Sequence, residues 1–158
     1  MIHEEIGDLM AQARAGSSWM GLDLGTKTIG VAVSDRLLSS ATPLHTIRRV
    51  KFSKDAESLL EVIENREIGA IILGLPRNMD GSEGPRCQST RAFCRNLASL
   101  TDLPIGYWDE RLSTVAAERA LLEADTSRKR RAEVIDHVAA GYILQGALDR
   151  ARHIRTVG

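Results

Sequence analysis

The chain of 158 residues lacks most of the features that announce a function by themselves. Its 21 basic and 21 acidic residues cancel to a formal net charge of zero, so a surface for nucleic acid has to arise from segregation of charge rather than from an excess. Aromatic residues make up only 4% of the chain, which disfavours a single-strand binder built on base stacking. Neither shortage excludes nucleic-acid binding through a few well-placed groups.

The chain also lacks disulfide, secretory and membrane signals. Its two cysteines, Cys87 and Cys94, would lie two turns apart on one face of a helix, too far for an easy disulfide. Residues 1–18 carry acids where a signal peptide needs basic residues, and no apolar run approaches the length of a membrane span. We therefore expect a cytoplasmic protein with reduced cysteines.

A chain of this length fits one domain with a real core. We expect an amphipathic N-terminal appendage at 1–18, a single domain at 19–150 and a C-terminal tail at 151–158. Three strands with short connections predict an antiparallel meander, and the helix-strand units after them predict parallel strands and an α/β fold. The expected strands are 19–25, 28–34, 44–50 (after the breaker Pro43), 68–73 and 105–108, and the expected helices are 52–63 (capped by Ser53), 85–100, 113–123 and 132–150.

One carboxylate stands inside the first apolar strand. Asp23 is flanked by Leu22 and Leu24, where an unpaired charge would cost several kcal/mol, so it has to pair, protonate or bind a metal. The turn that follows, Gly25-Thr26-Lys27-Thr28, offers backbone amides, hydroxyls and the ammonium of Lys27 to an anion. A metal and phosphate site is the hypothesis, and an Asp23 that caps the turn or pairs with Lys27 is the alternative.

Further carboxylates strengthen the metal hypothesis. Asp109 and Glu110 stand at the carboxyl end of a parallel strand, where open α/β sheets gather ligands, although they could equally begin the next helix. Asp136 falls on the same helical arc as Ile143, which places a carboxylate on a buried stripe. If Asp23, Glu110 and Asp136 converge, their oxygens would hold Mg²⁺ or Mn²⁺, and two ions roughly 4 Å apart could activate a water against a phosphodiester.

Positive groups flank these acids along the chain. Arg111 follows Glu110 and could contact a phosphate. The run Arg128-Lys129-Arg130-Arg131 is expected in a turn beside the helix of Asp136, where it would meet a phosphate backbone drawn to the metals. The ordinary alternative for such a run is a solvated turn. His137 is expected on the outer face of its helix.

Four motifs occur in an order that resembles a known family. Between residues 20 and 148 the chain resembles the RuvX/YqgF family of the RNase H-like superfamily, whose members are described both as Holliday junction resolvases and as pre-16S rRNA nucleases. The motifs are Gly21-Leu22-Asp23-Leu24-Gly25-Thr26-Lys27 with Gly30-Val31-Ala32-Val33-Ser34-Asp35, then Gly74-Leu75-Pro76 through 78–84, then Asp109-Glu110-Arg111-Leu112-Ser113-Thr114, and Ile135-Asp136-His137-Val138-Ala139-Ala140 with Ile143-Leu144-Gln145.

The resemblance implies a mixed five-stranded sheet of order 3-2-1-4-5 with helices on both faces, and an acidic triad at Asp23, Glu110 and Asp136. It implies a metal-dependent endonuclease that processes the 5′ end of pre-16S rRNA in ribosome biogenesis, with a Holliday junction resolvase as the alternative. The expected partners are RNA or branched DNA, together with ribosomal particles, and the enzyme would be a monomer or a homodimer.

Two other classes of function start from the same residues. The pattern Asp-x-Gly-Thr followed by a strand also resembles the phosphate loop of actin-like ATPases and sugar kinases. Those folds need two such domains around a nucleotide cleft, and this chain has room for one; nucleotide binding by the isolated protein would favour them. A non-catalytic RNA-binding assembly factor of the same fold would be expected to lack a triad position, and none is missing.

Overall fold

The computed structural model describes residues 1–112 and 128–157, the side chains of 128–136 and 157 excepted. One sheet contains six strands, and helices cover both of its faces. The strands are β1 (Ile2–His3), β2 (Ser18–Leu24), β3 (Thr28–Ser34), β4 (Ala41–Arg48), β5 (Ile68–Leu75) and β6 (Ile105–Asp109). The described helices are α1 (Ile6–Gln12), α2 (Phe52–Asn65), α3 (Pro85–Ala98) and α4 (Arg128–Val157), with a 3-10 turn at Glu110–Leu112.

The strands follow the order β1-β6-β5-β2-β3-β4. Strands β2, β3 and β4 pair antiparallel, whereas β5 and β6 lie parallel to β2. Apart from the short β1, this is the order 3-2-1-4-5 that the family resemblance implied, and that prediction is confirmed. The carboxyl ends of β2, β5 and β6 therefore meet at one edge of the sheet.

Each face of the sheet has its own hydrophobic core. Leu59 of α2 and Leu97 of α3 pack with Leu22 and Leu73 on one face. On the other face, α1 and α4 pack against the sheet, with Leu144 of α4 in the same cluster as Trp19 and Ile72. Cys87 and Cys94 are buried free thiols, as expected. None of the helices among the described residues combines the length and hydropathy that a membrane crossing needs.

The two ends of the chain differ from the expected appendage and tail. Strand β1 pairs with β6 at the edge of the sheet, and Leu9 of α1 is fully buried over Gly106. The apolar stripe of residues 1–18 predicted an amphipathic segment, and part of it is α1, but its partner surface is supplied by β6 and α4, which lie far along the chain. At the other end α4 continues to Val157, and Ala151 is fully buried.

Three local expectations are also corrected. Pro43 lies inside β4 rather than before it, at a register shift opposite Ala32, because an edge strand tolerates a missing N–H. Helix α2 has Lys51 at its N-cap position, with no side-chain cap from Ser53. The run 128–131 is helical, since Arg and Lys are good helix formers and no breaker interrupts them. The helix expected at 113–123 lies outside the described residues.

Candidate active site

Asp23 lies near the carboxyl end of β2, on the face of the sheet that α4 covers. Alternate residues of a strand share a face, and Trp19 belongs to the core under α4. Two residues on, a Cβ placed on Gly21 would stand 2.6 Å from the Cβ of Leu144. Asp23 continues this series and is only 4% exposed. The sheet therefore buries a carboxylate close to the path of α4.

Glu110 follows β6 and begins the 3-10 turn, but its side chain extends back over the sheet. Its carboxyl carbon lies 3.3 Å from the position that a Cβ on Gly74 would take. Leu22 pairs with Leu73 across β2 and β5. The next residues along these strands, Asp23 and Gly74, are therefore neighbours at a strand spacing of about 4.8 Å. The Glu110 side chain thus extends from the end of β6 over β5, the strand that separates it from Asp23.

Gly74 is the residue that makes this arrangement possible. A Cβ there would lie 2.5 Å from the Cδ1 of Ile143, which is closer than real Cβ contacts occur, and would also crowd the Glu110 carboxyl group. Because Gly74 has no side chain, Ile143 of α4 and the Glu110 carboxyl group can both pack against β5 at this position. In the sequence, Gly74 is only the first residue of a motif. The structure shows that its missing side chain makes room for Ile143 and the Glu110 carboxyl group.

Helix α4 brings position 136 to the same edge, although the Asp136 side chain lies outside the described residues. The ring Nδ1 of His137 lies 2.9 Å from the hydroxyl of Thr46, and Thr46 pairs with Gly30, which in turn pairs with Asp23. Farther along, the carbonyl of Ala140 lies 3.0 Å from the Cβ position on Gly21. The N-terminal part of α4 therefore crosses the sheet at the end of β2 that carries Asp23. His137 is half-buried rather than on an outer face.

The described side chains include no group of three His, Cys, Asp or Glu residues arranged to hold a metal. They include two of the three predicted acids, Asp23 and Glu110, at neighbouring positions. The ligand roles of these two residues and of Asp136 stay predictions.

The predicted phosphate-binding cations occupy different settings. Lys27 is exposed in a tight turn that the Gly25 N–H closes by donating to the Thr28 carbonyl at 2.8 Å. Arg111 is engaged within the protein: its Nη2 donates to Asp109 at 2.6 Å and its Nη1 to the Met79 carbonyl at 3.4 Å. The side chains of 128–131 lie outside the described residues. Phosphate contacts by all of these cations stay predictions.

Asp109 has a structural task that the sequence did not separate from that of Glu110. Its Oδ1 accepts the backbone N–H of Arg111 at 3.0 Å, which fixes the turn that begins with Glu110. The hydrogen bond from the Arg111 guanidinium holds the pKa of the Asp109 carboxyl below its ordinary range. Asp109 therefore stays ionised and orients the chain on both sides of Glu110.

Sequence reasoning missed a network of charges that ties the loop after β5 to this turn. Arg77 lies 3.8 Å from Asp109 and 3.5 Å from Glu83. Glu83 accepts two hydrogen bonds from Arg91 of α3, from Nε at 2.6 Å and from Nη2 at 2.7 Å. The positions of these residues in the sequence could have indicated this network. Arg77 and Asp109 each come at or just after the end of a parallel strand, and the carboxyl ends of parallel strands meet at one edge of the sheet.

The fold is shared with known resolvases. The structure of T. thermophilus RuvC in complex with a Holliday junction substrate matches with a TM-score of 0.52 at 16% identity, over 89% of this chain and 96% of that chain. The yeast mitochondrial Holliday junction resolvase Ydc2 matches with a TM-score of 0.50 at 11% identity, over 94% and 86%. At these identities the likeness concerns the fold alone, and it places the chain in the RuvC-like class of α/β folds.

Sequence similarity narrows this class to one family. A family model described as RuvX, Holliday junction resolvase, matches residues 17–150. A protein of Ruegeria sp. (strain TM1040) named "Putative pre-16S rRNA nuclease" is 72% identical over 156 residues, 99% of each chain. A protein of the same name from Paracoccus denitrificans (strain Pd 1222) is 74% identical over 134 residues, 85% of each chain. The chain belongs to the RuvX family, as its motifs predicted.

Proposed function

We propose that this chain is a metal-dependent endonuclease that hydrolyses phosphodiester bonds in structured RNA and processes the 5′ end of pre-16S rRNA in the cytoplasm. The observation that carries the proposal is the carboxyl group of Glu110 over Gly74, beside the strand position of Asp23. The Glu110 carboxyl group thus lies one strand away from the position of Asp23, at the edge where α/β sheets bind ligands, and in this proposal the two carboxylates converge on one metal site. The choice of pre-16S rRNA, and of ribosomal particles as partners, rests on the names of the relatives.

The donor set fits Mg²⁺ or Mn²⁺. Both ions prefer carboxylate oxygens, and the sequence offers no set of His and Cys with zinc spacing nearby. In this proposal Asp23, Glu110 and Asp136 hold the metal, as a site for two ions. When bound, the metal supplies an activated water for attack and positive charge for the leaving oxygen.

The residues around the acids have supporting tasks in this proposal. Asp109 fixes the turn that begins with Glu110, so the carboxyl group needs no rearrangement to face the substrate. Gly74 leaves room for the Glu110 carboxyl group to lie over β5, one strand away from Asp23. The exposed ammonium of Lys27, and the cations at 128–131, would hold the phosphate backbone without reading sequence.

Cleavage of RNA with defined ends tests the proposal. With Mn²⁺ present, we expect a pre-16S rRNA fragment to be cut faster than unrelated RNA or a four-way DNA junction, leaving a 3′-hydroxyl and a 5′-phosphate. This outcome follows from attack by water, whereas attack by the RNA 2′-OH would leave a 2′,3′-cyclic phosphate. A cyclic end, or cleavage that continues in EDTA, would contradict the proposal.

A second candidate is resolution of four-way DNA junctions, which the description of the family model favours. A resolvase has to cut two opposed strands, so it should act as a two-fold dimer with two sites. Symmetric nicks in a four-way junction, together with a dimer in analytical ultracentrifugation, would favour this function over RNA processing.

A further inference from the structure

A cavity lined by cationic side chains lies on the face of the sheet opposite the acids. A cavity of about 520 Å³ opens at the carboxyl edge, between the turn after β2 and the first turns of α2 and α3. Gly25 and Thr26 form one wall, Lys51 and Phe52 a second, and Arg86 and Ser89 a third. Helices α2 and α3 both begin here, so the cavity is built from three separate segments of the chain.

The charges of the cavity wall are mainly positive. Lys51 and Arg86 are exposed, and neither forms an ion pair with another described residue. The third cation, Arg49, is held in place, because its Nη1 donates to the Gly25 carbonyl at 2.6 Å and its Nε lies 3.9 Å from Asp55. The wall thus has three cations for one carboxylate, which favours an anionic ligand.

The opposing carboxylate, Asp55, serves the protein rather than a ligand. It is 2% exposed and accepts the backbone N–H of Val50 at 3.1 Å. Its negative charge is directed at Arg49, so it fixes that guanidinium at the wall instead of repelling an anion from the cavity mouth. Removing the Asp55 carboxylate would therefore free the Arg49 guanidinium from its position at the wall, and the added positive charge would not be held in place for an anion.

The helix ends add to the positive potential. The N-cap residues of α2 and α3, Lys51 and Gly84, supply no side-chain hydrogen bond to the first helical turns, and α3 has no acid in its first turn. Backbone N–H groups and the helix dipoles are favourable for anions at such ends. These groups support the three side-chain cations, which carry the argument.

The position of the cavity relative to the acids suggests the ligand. Leu24 and Gly25, which line the cavity, directly follow Asp23, and successive residues of a strand point to opposite faces. We propose that the cavity binds a backbone phosphate of the same nucleic-acid strand that the acids cut, at a position removed from the scissile bond. This inference rests on the proposed nuclease function. The nucleic-acid strand would cross the carboxyl edge of the β-sheet beside the turn of Gly25 and Thr26.

Salt-dependent binding tests the assignment with a matched control. The double variant Lys51→Gln/Arg86→Gln removes the two exposed cations of the cavity. The control Arg66→Gln/Arg95→Gln removes the same charge at the opposite ends of the same helices. A fluorescent RNA containing the 5′ end of 16S rRNA and its precursor sequence is titrated with each full-length protein in EDTA, so that binding is measured without metal-dependent cutting.

The proposal predicts that the cavity variant binds the RNA about 5- to 20-fold more weakly near physiological salt and that the slope of log K against log salt flattens by about 1 to 2 units. The control variant should keep the wild-type slope. Equal slopes in the cavity and control variants would overturn the proposal. So would calorimetry showing that the cavity binds inorganic phosphate tightly while the variant binds RNA normally, because the cavity would then hold a free anion.

The binding result is independent of the cleavage result. If the cavity and control variants show the expected difference in salt slope but the wild type cuts no RNA with Mn²⁺, the cavity stands as an RNA site and the nuclease function fails. If the wild type cuts RNA and the slopes do not differ, the cavity assignment alone fails.

Discussion

The two faces of the sheet bury different kinds of side chain. Under α2 and α3 the core consists of large aliphatic residues such as Leu22, Ile71 and Leu73. Under α4 the helix comes so close that a Cβ on Gly21 would stand 3.0 Å from a helix carbonyl. That face is rich in alanines, at Ala32, Ala70, Ala139, Ala140, Ala147 and Ala151. The core under α2 and α3, on the thick face of the sheet, stabilises the domain. The core under α4, on the thin face, brings the backbone of α4 close to the acids.

Each face also buries a carboxylate, and the two carboxylates differ in their surroundings. Asp55 accepts a backbone N–H and faces Arg49, so its charge is compensated within the fold. Asp23 lies beside Gly74 and the carboxyl group of Glu110, another acid. We expect a structural role for Asp55, and a metal site at Asp23 and Glu110, because carboxylates held close together favour a cation between them.

The largest expected effect comes from exchanging these two acids for amides. Asp23→Asn should lower metal-dependent cleavage by at least about 100-fold, because it removes a metal ligand, and it should leave the melting temperature unchanged or higher, because like charges are relieved. Asp55→Asn should lower the melting temperature, since Arg49 loses the carboxylate with which it pairs. Thermal unfolding by circular dichroism and a cleavage assay check both. Strong destabilisation by Asp23→Asn would show that the acid on the thin face is structural.

A smaller effect is expected from filling the space at Gly74. In Gly74→Ala the new methyl group meets both the Ile143 Cδ1 and the Glu110 carboxyl group, which should reduce kcat by roughly 10-fold and lower the melting temperature. Adding Ile143→Val removes the Cδ1 contact and should restore stability but not kcat. Gly84→Ala, whose Cβ would make only ordinary contact at 3.7 Å, is the control. Full recovery of kcat in the double variant would show that the loss of activity in Gly74→Ala does not come from its contact with the Glu110 carboxyl group.

A comparison of the two ends of α4 tests whether the basic residues at its N-terminus bind RNA. Arg130→Gln/Arg131→Gln should weaken binding similarly for all RNA sequences and flatten the salt slope by up to about 2 units. Arg150→Gln/Arg155→Gln removes the same charge from the other end of α4. Unchanged affinity in the first variant would make 128–131 a solvated helix end.

The smallest expected effect is the pH dependence of the loop after β5. The hydrogen bond from Arg91 holds the pKa of Glu83 below its ordinary value of 4.5. A depressed folded pKa stabilises the protein above the unfolded value, and that stabilisation is lost as pH falls through the folded pKa. Glu83→Gln should therefore be less stable than wild type at neutral pH, and the difference should shrink as pH falls below 4.5 and vanish below the folded pKa of Glu83. The exposed Glu57→Gln on α2 is the control, and urea unfolding at several pH values measures the trend.

The sequence predicted the sheet because its signals are local. The unbroken apolar run at 68–73 and the turn at Gly25–Thr28 mark their strands within a few residues. The packing of residues 1–18 was not predictable in this way, because the partners of Leu9 come from β6, nearly 100 residues later in the chain. Amphipathicity shows that a segment needs a partner and does not show which one.

The same limit applies to the candidate site. The carboxylates in apolar strands and stripes were visible as residue types in unusual places. The span of Glu110 over Gly74 was not visible, since it depends on the register between β2, β5 and β6. The pairing of Arg111 with Asp109 was also missed, because adjacency in sequence does not show whether an arginine faces a substrate or a neighbouring acid.

The central claim is that Asp23, Glu110 and Asp136 form one metal site on the thin face of the sheet. Anomalous diffraction from crystals of the full chain soaked in Mn²⁺ tests it most directly. We expect a manganese peak within coordination distance of Asp23 and Glu110, bounded on the third side by Asp136, and loss of the peak in Asp23→Asn. No peak between these acids at millimolar Mn²⁺, or a peak that persists unchanged in Asp23→Asn, would contradict the claim.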